Sequence, residues 1–102
     1  MEKIKVFISQ PMKDKSNEEI EKEREEIKQI LNNKWGEDGY EIIDSFFKGE
    51  PHDANPLWYL GKSLQLLSKA DVCVFAKQWY VGRVCVMEHR ACEEYHITIW
   101  EM

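Results

Sequence analysis

Short apolar-rich runs alternate with longer amphipathic stretches along this chain, and the two patterns predict strands and helices in alternation. The candidate strands lie at residues 3–8, 40–44, 72–76 and 97–100. The run at 72–76 is continuously apolar and rich in β-branched residues, which is typical of a strand buried on both faces of a parallel sheet. The amphipathic stretches between the strands repeat their apolar residues at helical spacing. The predicted order is therefore β-α-β-α-β-α-β.

The first two predicted helices carry recognisable start signals. Ser16, with Glu19 three residues later, forms a capping box, and Asn55 with Pro56 suits the N-cap and first position of a helix. The inner stripes of these helices are predicted to be Ile20, Arg24, Ile27 and Leu31, with Ile30 beside them, and then Leu57, Leu60, Leu64 and Leu67. Arg24 is the one charged member, and we expect its stem to pack while its head reaches the surface.

The third predicted helix, which starts near Val84, carries a carboxylate on its apolar side. Its stripe is predicted to be Val84, Met87, Ala91 and Tyr95. Glu88 falls on the same side, where a carboxylate is costly unless it is paired or hydrogen-bonded. Two interpretations stay open: a functional carboxylate, or a structural one paired with Arg83 or His89.

Right-handed crossovers leave few ways to arrange these elements. We expect a single domain over residues 1–102, with a flavodoxin-like, doubly wound parallel sheet in the order 2-1-3-4 between two layers of helices.

Ligands bind such folds at the carboxyl ends of the strands. This edge would gather the loops at 9–15 and 77–83 with Glu88, and the next helix would offer amides near Ser16 and Asn17 to an anion. The long loop at 45–55 holds Phe46 and Phe47, which would either line a pocket or anchor the loop.

Composition narrows the function classes. The net charge of −5 argues against a nucleic-acid-binding surface, which needs clustered Lys and Arg. No apolar run approaches the ~20 residues of a membrane span, and no segment resembles a secretion signal. The three cysteines are expected to be reduced, and the protein to be cytoplasmic. Cys85, His89 and Cys92 share a helix side, but no second pair of soft ligands completes a zinc site, so we predict no metal and no cofactor.

Three segments of the chain resemble a known family. They are FISQPM after the first strand, ADVCVFAKQW through the third, and GRVCVMEHRACEEYHI after it. These are similar to the nucleoside 2-deoxyribosyltransferase-like superfamily, above all to small phage and bacterial members known as a domain of unknown function. The pattern of those members is W, a short gap, then R-G-C-x-x-E-H-x-x-A-x-x-Y-x-I. It is matched here by Trp79, Arg83, Cys85, Glu88, His89, Ala91 (one position early), Tyr95 and Ile97.

The resemblance implies N-glycosyl transfer or hydrolysis. In the characterised enzymes, a glutamate on this helix attacks the anomeric carbon of a 2′-deoxynucleoside, and a second base or water resolves the covalent intermediate. The residue at the nucleophile's position is Glu88. The segment that holds the sugar or its 5′ end is matched by Ser9, Gln10, Pro11 and Met12. Trp79 and Arg83 are also expected to bind substrate, Trp79 by stacking on a base.

The chain departs from the family pattern at three positions. Ser63 stands where the transferases carry an aspartate that helps with the substrate, and we keep it as a binding residue. Val84 and Gln78 occupy positions that are usually or often glycine. The alternatives are therefore an enzyme, a nucleotide-binding module without turnover, and an interaction protein with a vestigial pocket. In the first two, the partner is a small-molecule nucleoside or nucleotide.

A homo-oligomer, most simply a twofold dimer, is also expected. The predicted four-stranded sheet leaves an edge at its last strand, and Trp100 adds apolar surface there.

Overall fold

A computed structural model describes residues 2–43 and 55–102 of the chain. Its elements are β1 (Ile4–Ser9), α1 (Asn17–Trp35), β2 (Tyr40–Ile43), α2 (Pro56–Leu67), β3 (Val72–Phe75), a 3₁₀ turn (Trp79–Val81), α3 (Arg83–Tyr95) and β4 (Thr98–Glu101). The predicted order of strands and helices is confirmed. The two phenylalanines of the long loop, Phe46 and Phe47, lie outside the described residues.

The four strands form one parallel sheet in the order β2-β1-β3-β4. This is the predicted flavodoxin-like arrangement, and it places β1 beside β3 at the point where the strand order reverses. Two further hydrogen bonds join β1 to Asp71, the residue before β3: the Asp71 N–H donates to the Lys5 carbonyl at 2.8 Å, and the Asp71 carboxylate accepts from the Lys5 N–H at 2.9 Å.

Two apolar layers cover the two faces of the sheet. Val6, Ile8, Val72 and Val74 pack against α1, and the alternating residues on the other face pack against α2 and α3. This alternation follows from the two-residue period of a strand. The residues of the second layer are Phe7, Leu67, Cys73, Phe75 and Cys92. The sheet thus lies between α1 on one side and α2 with α3 on the other.

Both predicted helix starts are confirmed. The Ser16 hydroxyl accepts from the Glu19 N–H at 3.1 Å, and the Glu19 carboxylate accepts from the Ser16 N–H at 3.3 Å. The Asn55 side chain accepts from the Leu57 N–H at 2.8 Å, with Pro56 at the first position of α2. These bonds satisfy amides that have no acceptor inside the helix.

The predicted apolar stripe of α3 is wrong by one residue. Met87 is 52% exposed and Tyr95 is 79% exposed, whereas Cys85, Glu88 and Cys92 are buried. The helix turns its smaller side chains towards the closely packed sheet and leaves the larger ones outside. Glu88 is on the buried face, as predicted. Among the other predicted stripe residues, Leu57 and Ile30 are exposed as well.

Trp100 does not form the exposed apolar surface that was expected at the edge strand. Its ring stacks on Trp35 at 4.7 Å between centroids, and the Lys34 ammonium lies 4.5 Å from the Trp100 centroid. Trp100 therefore belongs to the apolar layer beneath α1. None of the helices described is long and apolar enough to cross a membrane.

Candidate functional site

A cleft of about 400 Å³ opens at the carboxyl end of β1, where the chain passes from Ser9 into the loop before α1. The amino end of α3 forms the opposite wall, and Tyr59 and Ser63 of α2 complete it. Its lining comprises Phe7, Ile8, Ser9, Gln10, Pro11, Met12, Lys13, Tyr59, Ser63, Val81, Gly82, Arg83, Val84, Cys85 and Glu88. Seven of the eight predicted site residues are in this set, and Trp79 is the exception.

Glu88 is the acid within the described lining of the cleft, and it is 3% exposed. The Ser9 hydroxyl donates to Glu88 Oε1 at 2.7 Å. Burial raises the pKa of Glu88 from 4.5 to about 7, while the Ser9 hydroxyl and the Arg24 charge act in the lowering direction. The carboxyl is therefore divided between its neutral and ionised forms near neutral pH.

Gln10 ties the cleft to α1 through both ends of its side-chain amide. Its Nε2 donates to Glu23 Oε1 at 2.8 Å and to the Ile20 carbonyl at 3.3 Å, and its Oε1 accepts from Arg24 Nε. Gln10 is 5% exposed. Gln10 thus lines the cleft, but its polar atoms hold the loop in place against α1.

Arg24 is a functional candidate that was not among the predicted site residues. The structure shows a partly buried guanidinium that bonds Gln10, and its charge lowers the pKa of Glu88. The sequence did indicate that Arg24 is unusual, because it is the one charged residue in the otherwise apolar stripe of α1. The expectation was that its stem packs while its head reaches the surface; the residue is half-buried, and its guanidinium bonds Gln10.

Cys85 contributes a buried thiol to the wall of the cleft. Burial raises its pKa to about 11, and Ser9 provides a hydrogen bond that acts in the opposite direction. The thiol is thus protonated at neutral pH and is a poor nucleophile. Gly82 allows this packing, because a Cβ there would meet Cys85 Sγ at 3.3 Å and the Pro11 Cβ at 3.5 Å.

Trp79 lies outside the cleft and packs within the fold. Its ring stacks on His89 at 4.0 Å, with 2° between the planes, and it also contacts Phe75. The His89 ring nitrogens lie 3.3 Å from a Glu93 oxygen and 3.1 Å from a Glu101 oxygen. The structure therefore does not bring Trp79 together with the other predicted binding residues, and His89 joins α3 to β4.

Two further expectations are corrected by these contacts. Glu88 is held by Ser9, and none of its hydrogen bonds or ion pairs in the described structure involves Arg83 or His89. The start of α1 is an unsuitable anion site, because Ser16 caps it and Glu18 and Glu19 lie in its first turn.

No group of three or more potential metal ligands occurs among residues 2–43 and 55–102. Comparisons of the chain with protein-family models, with curated proteins and with solved structures found no match. The site offers one carboxyl of raised pKa beside a hydroxyl, in a cleft whose volume suits a small molecule.

Proposed function

We propose that the cleft binds a nucleoside or nucleotide and that Glu88 is the nucleophile in N-glycosyl transfer or hydrolysis. One observation carries the proposal: a carboxyl that is 3% exposed lines an open cleft of about 400 Å³ and is held by a single serine hydroxyl. Structural carboxylates at such depth are ordinarily paired with a cation in direct contact. The hydrogen-bond partner of Glu88 among the described residues is a neutral donor, Ser9, and it engages one of the two carboxyl oxygens.

The reaction that suits one carboxylate is a double displacement. A Glu88 oxygen attacks the anomeric carbon, the carbon–nitrogen bond breaks, and the departing base keeps the electron pair and takes a proton from water. A second base nitrogen or a water oxygen then attacks the same carbon and loses a proton, which returns the bonding electrons to the Glu88 carboxylate. Two displacements give net retention at the anomeric carbon.

The pKa of Glu88 makes the mechanism testable by pH. A nucleophile must be ionised, so kcat/KM for base release is expected to rise with pH and to level off above about 7. A carboxyl that acted as general acid would give the opposite slope, because its protonated form would be required.

A binding module without turnover is the second candidate. It is favoured by the hydrogen bond itself, since Ser9 already occupies one oxygen of Glu88 at 2.7 Å. A neutral, hydrogen-bonded carboxyl recognises a ligand without attacking it. The two functions differ in whether Glu88 is required for chemistry or for affinity.

The deciding experiment incubates the protein with a panel of 2′-deoxynucleosides and their 5′-monophosphates, with and without an acceptor base. Released or exchanged base is followed by chromatography. We expect base release to be lost in Glu88→Gln and kept in Glu93→Gln. Glu93 is the matched control because it is an exposed glutamate on the same helix. Ligand-induced thermal stabilisation without base release would support the binding module instead.

A further inference from the structure

Two cations line the cleft without a counter-ion among the described residues. Lys13 follows β1, Arg83 begins α3, and both are exposed at the cleft. Some basic side chains elsewhere in the described chain are paired with carboxylates, as are Lys15 with Glu23 and Arg90 with Glu94. In a protein of net charge −5, the cleft therefore has two cations in its described lining against one acid, Glu88, which forms no ion pair with either of them.

The backbone adds to this charge at the same wall. α3 begins after Gly82, which has no side chain to cap the first-turn amides, and Gly82, Arg83, Val84 and Cys85 all line the cleft. Unpaired amides at a helix start carry partial positive charge and donate to anions.

Ser63 supplies independent evidence for a ligand. It is 7% exposed and lines the cleft, and its hydroxyl makes no hydrogen bond with any described residue. Every fully buried side-chain oxygen or nitrogen of the described residues has a partner. The Ser63 hydroxyl must therefore be reachable from the cleft, and it is available to a bound molecule.

We propose that the cleft selects a phosphorylated ligand, and that a nucleoside 5′-monophosphate is preferred over the nucleoside. The phosphate lies between Lys13 and Arg83 at the amino end of α3, and the Ser63 hydroxyl hydrogen-bonds an oxygen of the same ligand. The nucleoside part of this assignment rests on the proposed function. The phosphate part rests on the charges and on Ser63.

Binding is the direct test, and it needs no turnover. Titration calorimetry compares 2-deoxyribose 5-phosphate, 2-deoxyribose and inorganic phosphate, and then a 2′-deoxynucleoside with its 5′-monophosphate. Each phosphorylated probe is expected to bind at least about tenfold more tightly than its unphosphorylated form, as charge-assisted hydrogen bonds would give. The difference should shrink as salt concentration rises.

Arg83→Gln is expected to remove most of the preference for phosphate, and Lys13→Gln to reduce it. Arg90→Gln is the matched control, because Arg90 lies on the same helix, is exposed and is paired with Glu94. Ser63→Ala should weaken the phosphorylated ligand without changing the fold.

Three outcomes would overturn the inference: equal affinity for both forms, equal effects of Arg83→Gln and Arg90→Gln, or inorganic phosphate binding as tightly as the nucleotide. Base release from nucleosides with no preference for the phosphate would overturn this inference and leave the proposed function standing. Phosphate-selective binding without base release would contradict the proposed function and leave this inference standing.

Discussion

At the scale of the residue, the protonation of Glu88 is the property on which the site depends. Burial disfavours its charge, whereas the Ser9 hydroxyl and the Arg24 guanidinium favour it, and the balance leaves the pKa at about 7. A carboxyl in this state is sufficiently ionised to attack at neutral pH and is more basic than an exposed glutamate. The same balance makes the contribution of Glu88 to the free energy of unfolding fall as pH rises from 4.5 to about 7.

Glu88→Gln is expected to stabilise the protein at alkaline pH. Below about pH 4 the carboxyl is protonated in both the folded and unfolded states, so variant and wild type should be equally stable. Between 4.5 and about 7 the unfolded chain ionises first, and the folded wild type loses stability relative to the variant. At pH 8 the difference in unfolding free energy should be on the order of 3 kcal/mol.

Urea unfolding of both proteins at pH 4, 6 and 8 measures this difference. Subtracting the unfolding free energy of wild type from that of Glu88→Gln at each pH removes the contributions of the other acids, which the two proteins share. A difference that does not change with pH would show that the pKa of Glu88 is close to that of an exposed glutamate.

Arg24→Met is expected to raise the pKa of Glu88 further, because it removes the cation that favours the carboxylate. Carbon-13 NMR titration of the glutamate carboxyls reports this pKa directly, with Glu88→Gln identifying the signal. Arg90→Met removes an exposed cation from α3 and should leave the titration unchanged. Identical titration curves for the two arginine variants would exclude Arg24 from the electrostatics of the site.

At the scale of the element, the sequence predicted which segments are helix and strand better than which faces they bury. The capping signals at Ser16 and Asn55 are local, so they located the starts of α1 and α2. The face of α3 depends on how closely the helix approaches the sheet, which spacing alone does not reveal. Met87 and Tyr95 were therefore assigned to the core, while Cys85 and Cys92 occupy it.

The position of the candidate site could be predicted because the strand order places the loops after β1 and β3 at the same edge of the sheet. The topology brings Ser9 and Glu88 together across 79 positions of sequence. The stacking of Trp79 on His89 and the turn of Arg24 towards Gln10 are tertiary contacts. They depend on side-chain packing that no local pattern encodes.

Ser16→Ala is expected to lower the unfolding free energy by about 1 kcal/mol, because it removes the acceptor of the Glu19 N–H. Denaturant unfolding at constant pH measures the loss. Asn17→Ala alters the neighbouring exposed position and should change stability by no more than a few tenths of a kcal/mol. Equal effects of the two substitutions would mean that the cap contributes no specific stability.

At the scale of the whole molecule, the exposed apolar side chains are concentrated at one place. Of the eight large apolar residues that are exposed in the described part of the chain, five line a groove of about 490 Å³ beside the cleft. They are Leu57, Tyr80, Val81, Val86 and Met87. Because Trp100 is covered by Trp35, this groove replaces the edge strand as the surface that would favour self-association.

The expected dimer stays a prediction, and the groove supplies its test. Light scattering at micromolar concentration should give twice the chain mass, and Met87→Glu should reduce it to the monomer by placing a charge in the contact. Ile30→Glu changes an exposed apolar residue on α1 and should leave the dimer intact. A monomeric wild-type protein would remove dimerisation as the reason for the apolar groove.

The central claim, that Glu88 forms a covalent bond to the sugar, is tested most directly by trapping the intermediate. The protein is mixed with the substrate found in the base-release panel, quenched with acid during turnover, digested and mapped by mass spectrometry. We predict a sugar adduct on the peptide that carries Glu88 in wild type, and none on that peptide in Glu88→Gln. Base release without any adduct, or an adduct on another residue, would contradict the proposed role of Glu88.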